Sequence, residues 1–340
     1  MAADSGPVQQ DRQYDGQQDV SGRRVLAVAS GGGHFKQLVR LAPRLPEVHS
    51  VTWVTHDTGL AEDLLAAAGR SADPLVHVPY AAPRDLSNLT RDALEVRRLL
   101  RREPHDLAVS TGAGIAATVL PMARRMGLRS VFIESATRVE GPSLSGRILQ
   151  RLPGVELYSQ HPDGQGFGPR WQVVGSVHDE FTPGPSAPRS SIARAVVTLG
   201  TIRPYGFRRL VDRLLRILPT DAEVLWQTGA TDVADLPIDG RVAVPAPELE
   251  AAVAEADVVI AHAGTGTALT AFELGRCPVL VPRRVAHHEH IDDHQVGTAA
   301  ALAKRGLALH AEVQELSEEL LLTAAARSVA RRPHLPVLPL

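Results

Sequence analysis

The 340-residue sequence contains one cysteine, little imbalance between the two signs of charge and no long apolar run. The single Cys277 excludes an intramolecular disulfide and is typical of a reducing compartment. With 36 basic and 38 acidic residues, the formal charge of -2 provides no overall field that would favour nucleic acid as a partner. No uninterrupted apolar stretch is long enough to cross a bilayer, so we expect any membrane contact to be peripheral.

Short apolar runs alternate with helical patterns along most of the chain, which predicts an α/β fold with parallel sheets. Residues 1–22 have no apolar core and are expected to be a disordered leader. The proline-rich stretch 182–192 is expected to be an extended linker. It separates an N-terminal domain over 23–181 from a C-terminal domain over 193–330. Residues 331–340 are expected to be a tail.

Each half opens with a strand, a glycine turn and a helix, which predicts two Rossmann-like domains that face each other across a cleft. A long helix is predicted from about Val313 to Val329, and it could pack back on the N-terminal domain. The predicted strands are Val25–Ser30, Val51–Thr55, Leu107–Ser110 and Ser130–Ile133 in the first half, and lie within 195–201, 224–229, 257–262 and 278–282 in the second.

The first glycine turn is SGGGH, Ser30 to His34. Glycines between a strand and a helix allow backbone N–H groups to face an anion at the helix N-terminus. The dinucleotide fingerprint fails here, because Lys36 stands at its third glycine position and only Asp57 could bind a ribose. NAD binding is therefore a weak alternative, and a plain tight turn capped by the histidine is another.

The second glycine turn is HAGTGT, His262 to Thr267, after a buried strand pattern. Gly264 and Gly266 would let a pyrophosphate approach, while Thr265, Thr267 and the N–H groups at the start of the next helix could donate to it. No Gly-Lys-Ser/Thr follows, so this is not a Walker loop. Taken alone, the turn could also be an ordinary glycine-rich connection.

Acids and an amide follow in the segment AHHEHIDDHQ. Glu289, Asp293 and Gln295 could accept hydrogen bonds from sugar hydroxyls, and Gln295 could also donate. Zinc is an alternative, because His290 and His294 are predicted to share a helical face beside these acids. The HExxH arrangement is absent, which favours a histidine-lined sugar site. The histidines of this segment are His287, His288, His290 and His294.

Together, HAGTGT, GRCPVLVPRR and EHIDDHQ resemble the C-terminal donor-binding domain of family 28 glycosyltransferases. They are similar to the catalytic subunit of the two-subunit UDP-N-acetylglucosamine transferase of dolichol-linked glycan assembly. SGGGHFKQLVRL and FIESATRVEGPSLSGRILQ resemble its membrane-anchored acceptor subunit, and related bacterial polysaccharide transferases are similar to both. The resemblance covers roughly Arg24 to Ala330, with the two parts fused in one chain.

This resemblance implies a GT-B fold and an inverting hexosyltransferase that needs neither cofactor nor metal. The C-terminal domain would hold a UDP-sugar carrying N-acetylglucosamine or another hexose. The N-terminal domain would hold the acceptor, either a polyprenyl-linked saccharide or a natural-product aglycone. Two alternatives are a UDP-N-acetylglucosamine 2-epimerase of the same fold and a non-catalytic nucleotide-sugar-binding module.

The same resemblance, combined with position, assigns the site residues. His34 would be the general base that takes the acceptor proton. Thr270 stands where many relatives have a ribose-binding glutamate, and Glu273 lies almost one turn later; both are assigned to the donor's nucleoside or sugar. The predicted diphosphate contacts are Gly200, Thr201, His262, Gly264, Thr265, Gly266 and Thr267. The predicted acceptor side is Gly32, Gly33, Glu134 and Arg138.

Two further expectations concern an ion pair near the predicted site and contact with a membrane. Glu134 and Arg138 could instead form a structural ion pair with each other. The arginine-rich helical pattern over 91–103 could lie on an anionic membrane, although a helix packed on the sheet is preferred. We expect a cytoplasmic protein, with any membrane contact at the inner face of the plasma membrane.

Overall fold

The computed structural model describes residues 22–57, 59–80, 85–162, 164–200 and 205–340. The predicted leader, apart from Gly22, and the predicted site residue Thr201 lie outside these ranges. The described residues form two parallel sheets with their helices and one small antiparallel pair. No helix among them has both the length and the apolar character needed to cross a membrane.

The N-terminal half forms a parallel sheet. Its elements are β1 (Arg23–Ala29), α1 (Gly33–Leu41), β2 (Val48–His56), α2 (Ala61–Ala67), β3 (Leu75–Val78), α3 (Leu86–Arg102), β4 (Leu107–Gly112), α4 (Gly114–Arg125), β5 (Arg129–Ile133), α5 (Leu144–Leu149), β6 (Val155–Ser159), β7 (Trp171–Val173) and β8 (Phe181–Pro183). The order across the sheet is β3-β2-β1-β4-β5-β6-β7, and every pairing is parallel.

Strand β1 shows why this half folds as a layered sheet. Successive side chains of a strand point to opposite faces. Val25 and Ala27 join the core that contains α1, while Leu26 and Val28 join the core that contains α4. A strand buried on both faces appears in the sequence as a continuous apolar run. The strand order reverses between β1 and β4, the place where open α/β sheets bind ligands at their carboxyl ends.

The C-terminal half repeats this arrangement. Its elements are β9 (Arg194–Thr198), α6 (Arg208–Ile217), β10 (Glu223–Gln227), β11 (Gly240–Arg241), α7 (Ala246–Glu255), β12 (Val258–His262), α8 (Thr265–Glu273), β13 (Val279–Val281), α9 (His294–Lys304), β14 (Leu309–His310), α10 (Glu318–Ala325) and β15 (Val329–Arg331). The order is β11-β10-β9-β12-β13-β14, again parallel, with the reversal between β9 and β12.

The end of the chain differs from the prediction. The long helix expected from about Val313 to Val329 is not formed, because α10 covers only Glu318–Ala325. Ser317 caps this helix, its hydroxyl oxygen accepting from the Leu320 N–H at 3.2 Å. Helical apolar spacing runs through Ser317 in the sequence and conceals the break. The helix packs on the C-terminal core, so its expected placement against the N-terminal domain is wrong.

The last residues do join the two halves. Strand β15 pairs antiparallel with β8, and the predicted linker over 182–192 begins inside β8. The predicted tail packs on the N-terminal half, where Leu338 is 2% exposed and donates its N–H to the Arg44 carbonyl at 2.7 Å. The end of the chain therefore returns to the N-terminal half. The domain boundaries themselves stay a prediction.

Candidate active site

The two glycine turns meet between the halves of the molecule. Gly33 is the first residue of α1, and Gly266 lies in the first turn of α8. A Cβ placed on Gly33 would lie 3.9 Å from the Gly266 nitrogen, and one placed on Gly266 would lie 4.0 Å from the Gly33 Cα. The two turns are therefore within van der Waals range of each other at these glycines. We call Ser30 to His34 the acceptor turn and His262 to Thr267 the donor turn, after their predicted roles. These two turns face each other across the cleft.

His34 is held at the reversal point between β1 and β4. Its Nδ1 lies 2.8 Å from the carbonyl oxygen of Thr111, the penultimate residue of β4. A carbonyl can only accept, so Nδ1 carries the proton of the neutral ring and Nε2 keeps its lone pair. The Thr111 hydroxyl donates in turn to the His34 carbonyl at 2.7 Å. Side chain and backbone of His34 are thus both fixed by one residue.

The electrostatic surroundings keep His34 neutral. Burial lowers its pKa from the ordinary value of 6.5, and the charges of Arg138 and His294 lower it further, while the bond to Thr111 opposes the shift. Gly112 lies against the ring, because a Cβ there would be 3.0 Å from Nδ1 at a backbone φ of +108°. A neutral imidazole with an unprotonated Nε2 is the form that a general base requires.

His262 occupies the matching place between β9 and β12. Its Nδ1 lies 3.4 Å from the Thr198 carbonyl, and burial, with Arg283 nearby, lowers its pKa to about 3. The ring contacts both glycines of its own half: a Cβ on Gly200 would be 2.7 Å from it, and one on Gly264 would overlap it. A neutral ring protonated on Nδ1 offers an acceptor at Nε2. An acceptor cannot bind an anion directly, so this ring is better suited to supporting the donor turn.

The donor turn presents hydrogen-bond donors where α8 begins. Gly264 precedes the helix, and the first N–H groups of an α-helix have no intrahelical acceptor. Those of Thr265, Gly266 and Thr267 are therefore available to an anion, which the helix dipole also favours. Thr265 is buried, and its hydroxyl has no hydrogen-bond partner among the described residues. A buried hydroxyl beside these N–H groups fits a diphosphate oxygen as its missing partner.

The residues predicted to bind the nucleoside already contact the N-terminal half. The Lys36 ammonium donates to the Thr270 hydroxyl oxygen at 2.9 Å and to the Glu273 carboxylate at 3.1 Å. Arg40, one turn along α1, forms a second ion pair with Glu273. Its guanidinium also donates to Glu180 at 3.0 Å. Lys36 therefore binds both Thr270 and Glu273, the α8 residues predicted to contact the nucleoside or sugar, and Arg40 binds Glu273 as well.

The predicted sugar-binding segment before α9 is also engaged. Glu289 is 4% exposed, and its carboxylate oxygens accept from the Arg209 guanidinium at 2.8 and 2.9 Å. The Asp293 carboxylate accepts the Val285 N–H at 3.0 Å. The Gln295 carboxamide oxygen accepts the Arg283 N–H at 3.0 Å, which leaves its amide N–H groups as the donors for a sugar. A sugar hydroxyl would have to compete with Arg209 for Glu289.

On the acceptor side, Glu134 and Arg138 do not pair with each other. The buried Glu134 carboxylate accepts from the Ser143 N–H and hydroxyl, both at 2.9 Å, and from the Ser135 N–H at 3.1 Å, while burial raises its pKa. Arg138 instead crosses the cleft and donates to Asp292 at 3.0 Å. The alternative of a Glu134–Arg138 ion pair is therefore wrong. Glu134 orders the loop after β5, and Arg138 faces the donor half.

His290, Asp292 and His294 form a cluster next to this contact. His294 Nδ1 donates to Asp292, and His290 Nδ1 lies 3.3 Å from the same carboxylate oxygen. Because α9 begins at His294, the predicted helical face shared by the two histidines is wrong, and a loop brings them together. Their ligand atoms lie within 4.8 Å of one another, close enough to hold an ion. Arg138 already neutralises Asp292, which favours a polar sugar site over a cation site.

Sequence reasoning left Lys36, Thr111 and Asp292 out of the site. The junction STGAG at 110–114 joins a strand to a helix through glycine, as the other two turns do, and this signal could have found Thr111. Asp292 stands in the segment EHIDDHQ quoted above, but no local signal gives its contact with Arg138, and none gives the contact of Lys36 with Thr270. Lys36 and Thr270 are 234 residues apart in the chain, and Arg138 and Asp292 are 154 apart.

Known proteins match the chain over most of its length. The family model described as glycosyltransferase family 28 C-terminal domain matches residues 195–333. A UDP-N-acetylglucosamine–N-acetylmuramyl-(pentapeptide) pyrophosphoryl-undecaprenol N-acetylglucosamine transferase of Synechococcus sp. (strain CC9311) is 30% identical over 299 residues, which cover 82% of this chain and 82% of the relative. The chain belongs to the family 28 glycosyltransferases. An equally named transferase of Methylococcus capsulatus is 27% identical over 349 residues, covering 91% of this glycosyltransferase and 95% of the relative.

Solved structures confirm the predicted GT-B fold of this glycosyltransferase. MurG of Acinetobacter baumannii superimposes with a TM-score of 0.55 at 20% identity, over 88% of this chain and 89% of that one. The glycosyltransferase of kitacinnamycin gives 0.53 at 17% identity, over 89% of each chain. Family membership confirms the predicted enzyme class, a hexosyltransferase, over the epimerase and the non-catalytic module.

Proposed function

We propose that this glycosyltransferase moves N-acetylglucosamine from its UDP conjugate to a hydroxyl of a polyprenyl-linked saccharide, with inversion at the anomeric carbon. The names of the Synechococcus and Methylococcus relatives, which contain this donor sugar and an undecaprenol-linked acceptor, support the proposal. The observation that carries it is the meeting of two turns. Neutral His34 follows Gly33, and the anion-binding start of α8 at Gly266 faces that glycine across the cleft.

His34 supplies the base for this transfer. As the acceptor oxygen attacks the anomeric carbon, its proton passes to Nε2, and the imidazolium that forms is stabilised at Nδ1 by the Thr111 carbonyl. The bond between the anomeric carbon and the diphosphate breaks, and its electron pair leaves with UDP. Attack from the face opposite the diphosphate inverts the configuration of the sugar.

The leaving diphosphate is stabilised by the start of α8. Its growing charge meets the N–H groups of Thr265, Gly266 and Thr267 and the unpartnered hydroxyl of Thr265. These groups are fixed by the helix before the reaction, so no reorganisation is needed as charge develops. The proposed reaction therefore needs no metal ion.

A polyprenyl-linked acceptor implies contact with the inner face of the cytoplasmic membrane. Helix α3 supports such a contact, because Val96 and Leu100 pack in the core while the opposite side is arginine-rich and exposed. Helix α3 therefore packs on the sheet, as preferred from the sequence. Its arginine-rich side is free to face anionic lipid headgroups. The exposed arginines are Arg91, Arg97, Arg98, Arg101 and Arg102.

Labelled UDP-N-acetylglucosamine tests the proposal. The purified protein is incubated with it in EDTA, together with either a polyprenyl-diphosphate-linked saccharide or a pool of soluble aglycones. We expect label in the lipid fraction at a rate that EDTA leaves unchanged. Label on an aglycone would replace the lipid acceptor, and a 2-epimerised sugar formed without any acceptor would contradict glycosyl transfer.

A further inference from the structure

Glu273 links the donor helix to the helix that carries the proposed base. It is the last residue of α8, whose first turn forms the donor turn. Its carboxylate contacts the Lys36 ammonium at 3.1 Å and the Arg40 guanidinium, both on α1. The side chains of Lys36 and Glu273 are only 12% and 22% exposed, so solvent screens this contact less than a surface ion pair.

Two cations on one carboxylate fix the position of α1. Lys36 and Arg40 are four residues apart, so they are neighbours on one face of the helix. A carboxylate that binds both restrains the rotation of α1 about its axis as well as its distance from α8. His34 lies two residues before Lys36 on the same helix. Thr111 fixes His34 within the N-terminal half, so the contact of α1 with α8 sets the distance of His34 from the donor turn.

A second path leads from the donor turn to the same lysine. The Thr270 hydroxyl donates to the Gly266 carbonyl at 3.2 Å and accepts from Lys36 at 2.9 Å. Gly266 belongs to the turn proposed to bind the diphosphate. Hydrogen bonds therefore run from that turn through Thr270 and Lys36 to the helix of His34.

The remaining contacts of α1 make Glu273 replaceable without loss of the fold. Arg40 also binds Glu180, whose side chain is 2% exposed and which Arg331 contacts at 3.3 Å. Phe35 and Leu38 are buried in an apolar cluster that extends across both halves and includes Leu269 and Phe272 of α8. The helix therefore stays formed without Glu273, but its contact with the donor half is weakened.

We propose that Glu273 is a positioning residue, whose carboxylate holds α1 and His34 in register with the donor turn and does not bind the nucleotide. This differs from its predicted place among the nucleoside and sugar contacts. The role deepens the proposed function, because it rests on His34 being the base.

Glu273→Gln tests the role, with Glu255→Gln as the matched control. Glu255 pairs with Arg194 at 3.0 Å on the surface of the C-terminal half, and its side chain is 67% exposed. In Glu273→Gln we expect kcat to fall about 10- to 100-fold through misplacement of the base. UDP affinity, measured by calorimetry, should stay within about threefold, which corresponds to about 0.65 kcal/mol. Unchanged kcat, or a loss of UDP affinity of more than about tenfold, would overturn the proposal.

A readout that needs no substrate separates this role from the proposed reaction. NMR titration of the His34 ring should give a higher pKa in Glu273→Gln than in the parent, because a weakened contact between α1 and α8 exposes the ring and removes part of the burial that is the main cause of its lowered pKa. Loss of the Glu273 charge acts in the opposite direction, but Glu273 is not among the charges that shift the pKa of His34. Arg138, His294 and the Thr111 carbonyl, which also act on His34, lie on other elements and are retained. An unchanged His34 pKa would overturn the positioning role, whichever substrate the enzyme uses.

The pairing itself is tested by a double-mutant cycle. If Glu273 acts through Lys36, the losses of kcat in Glu273→Gln and Lys36→Met should not add, and the double variant should be little worse than the weaker single variant. Additive losses would contradict a shared path.

Discussion

His34 Nδ1 lies 2.8 Å from the Thr111 carbonyl oxygen, a contact that joins the turn after β1 to the end of β4. The C-terminal half has a similar contact, since His262 Nδ1 lies 3.4 Å from the Thr198 carbonyl. The two histidine rings differ in their neighbouring residues. His262 lies under the glycines of its own half, whereas His34 follows the turn that meets the donor turn. The first arrangement supports a loop, and the second places His34 where the proposed base would act.

His34→Asn should remove the base and keep the fold. An asparagine amide can still donate to the Thr111 carbonyl, but it has no basic nitrogen. We expect turnover to fall about 10²- to 10⁴-fold, the usual contribution of a general base. UDP affinity, measured by calorimetry, should be nearly unchanged. A variant with the parent's rate would remove His34 from the mechanism.

The pH dependence of the enzyme should depend on Arg138. The base acts when neutral, so activity rises with pH through the pKa of His34, which burial and then Arg138 lower from 6.5. Arg138→Met removes a positive charge and should move this acid limb of kcat/KM to higher pH. Profiles over about pH 5 to 8 would show it. Arg241→Met, at a surface ion pair with Glu248, is the control and should leave the limb in place; a limb that stays put in Arg138→Met would contradict the coupling.

Gly264→Ala should weaken donor binding by displacing a histidine. A Cβ at this position would overlap the His262 ring, which also contacts Gly200 and the Thr198 carbonyl. We expect the donor turn to shift and UDP affinity to fall, with a modest loss of melting temperature because His262 is the last residue of β12. Gly168→Ala is the matched control, since a Cβ there meets nothing within 4 Å. Parent-like UDP binding by a folded Gly264→Ala protein would show that the turn does not hold the diphosphate.

The sheets could be predicted from the sequence because their strands are local patterns. Val25 to Ala29 is buried on both faces and reads as one apolar run, and Val258 to Ile260 does the same in the second half. The glycine turns were predicted for the same reason. The failure over about Val313 to Val329 has a local cause too, since one serine cap interrupts an otherwise unbroken helical spacing.

The partners across the cleft could not be predicted from any local pattern. Lys36 appears in the sequence only as a residue that breaks a dinucleotide fingerprint, and its contact with Glu273 depends on how two separately folded sheets meet. An ion pair of Arg138 with Glu134, four residues earlier in the chain, was one alternative from the sequence, but the buried Glu134 accepts from the Ser143 N–H and hydroxyl instead. Relative placement of the halves decides such contacts, and periodicity carries no information about it.

Stability should decline below neutral pH because of His178. Burial lowers the pKa of this histidine to about 3, so the folded protein resists a proton that the unfolded chain accepts near 6.5. The contribution of His178 to the free energy of unfolding is therefore complete above pH 6.5. It is lost as the pH falls toward 3, by at most about 1.4 kcal/mol per pH unit. His178→Gln should reduce the difference in unfolding free energy between neutral and acidic buffers, measured with denaturant. The exposed His334→Gln is the control, and an equal pH dependence in both variants would contradict the assignment.

Thr270→Glu tests how Lys36 affects the nucleoside site. A carboxylate at this position could accept two hydrogen bonds from a ribose diol, which alone would strengthen UDP binding by roughly 1.5 to 3 kcal/mol. The Lys36 ammonium lies 2.9 Å from the Thr270 hydroxyl oxygen, so the new carboxylate would meet a cation before any ribose. We therefore expect the single variant to gain less than this range, and the double variant Thr270→Glu with Lys36→Met to bind UDP more tightly than the single one. Calorimetry measures both affinities without turnover, so the role of Lys36 in positioning His34 does not enter. If the single variant shows the whole gain and the second substitution adds nothing, Lys36 does not compete for this site, and the ribose is bound on a side of α8 that α1 leaves open.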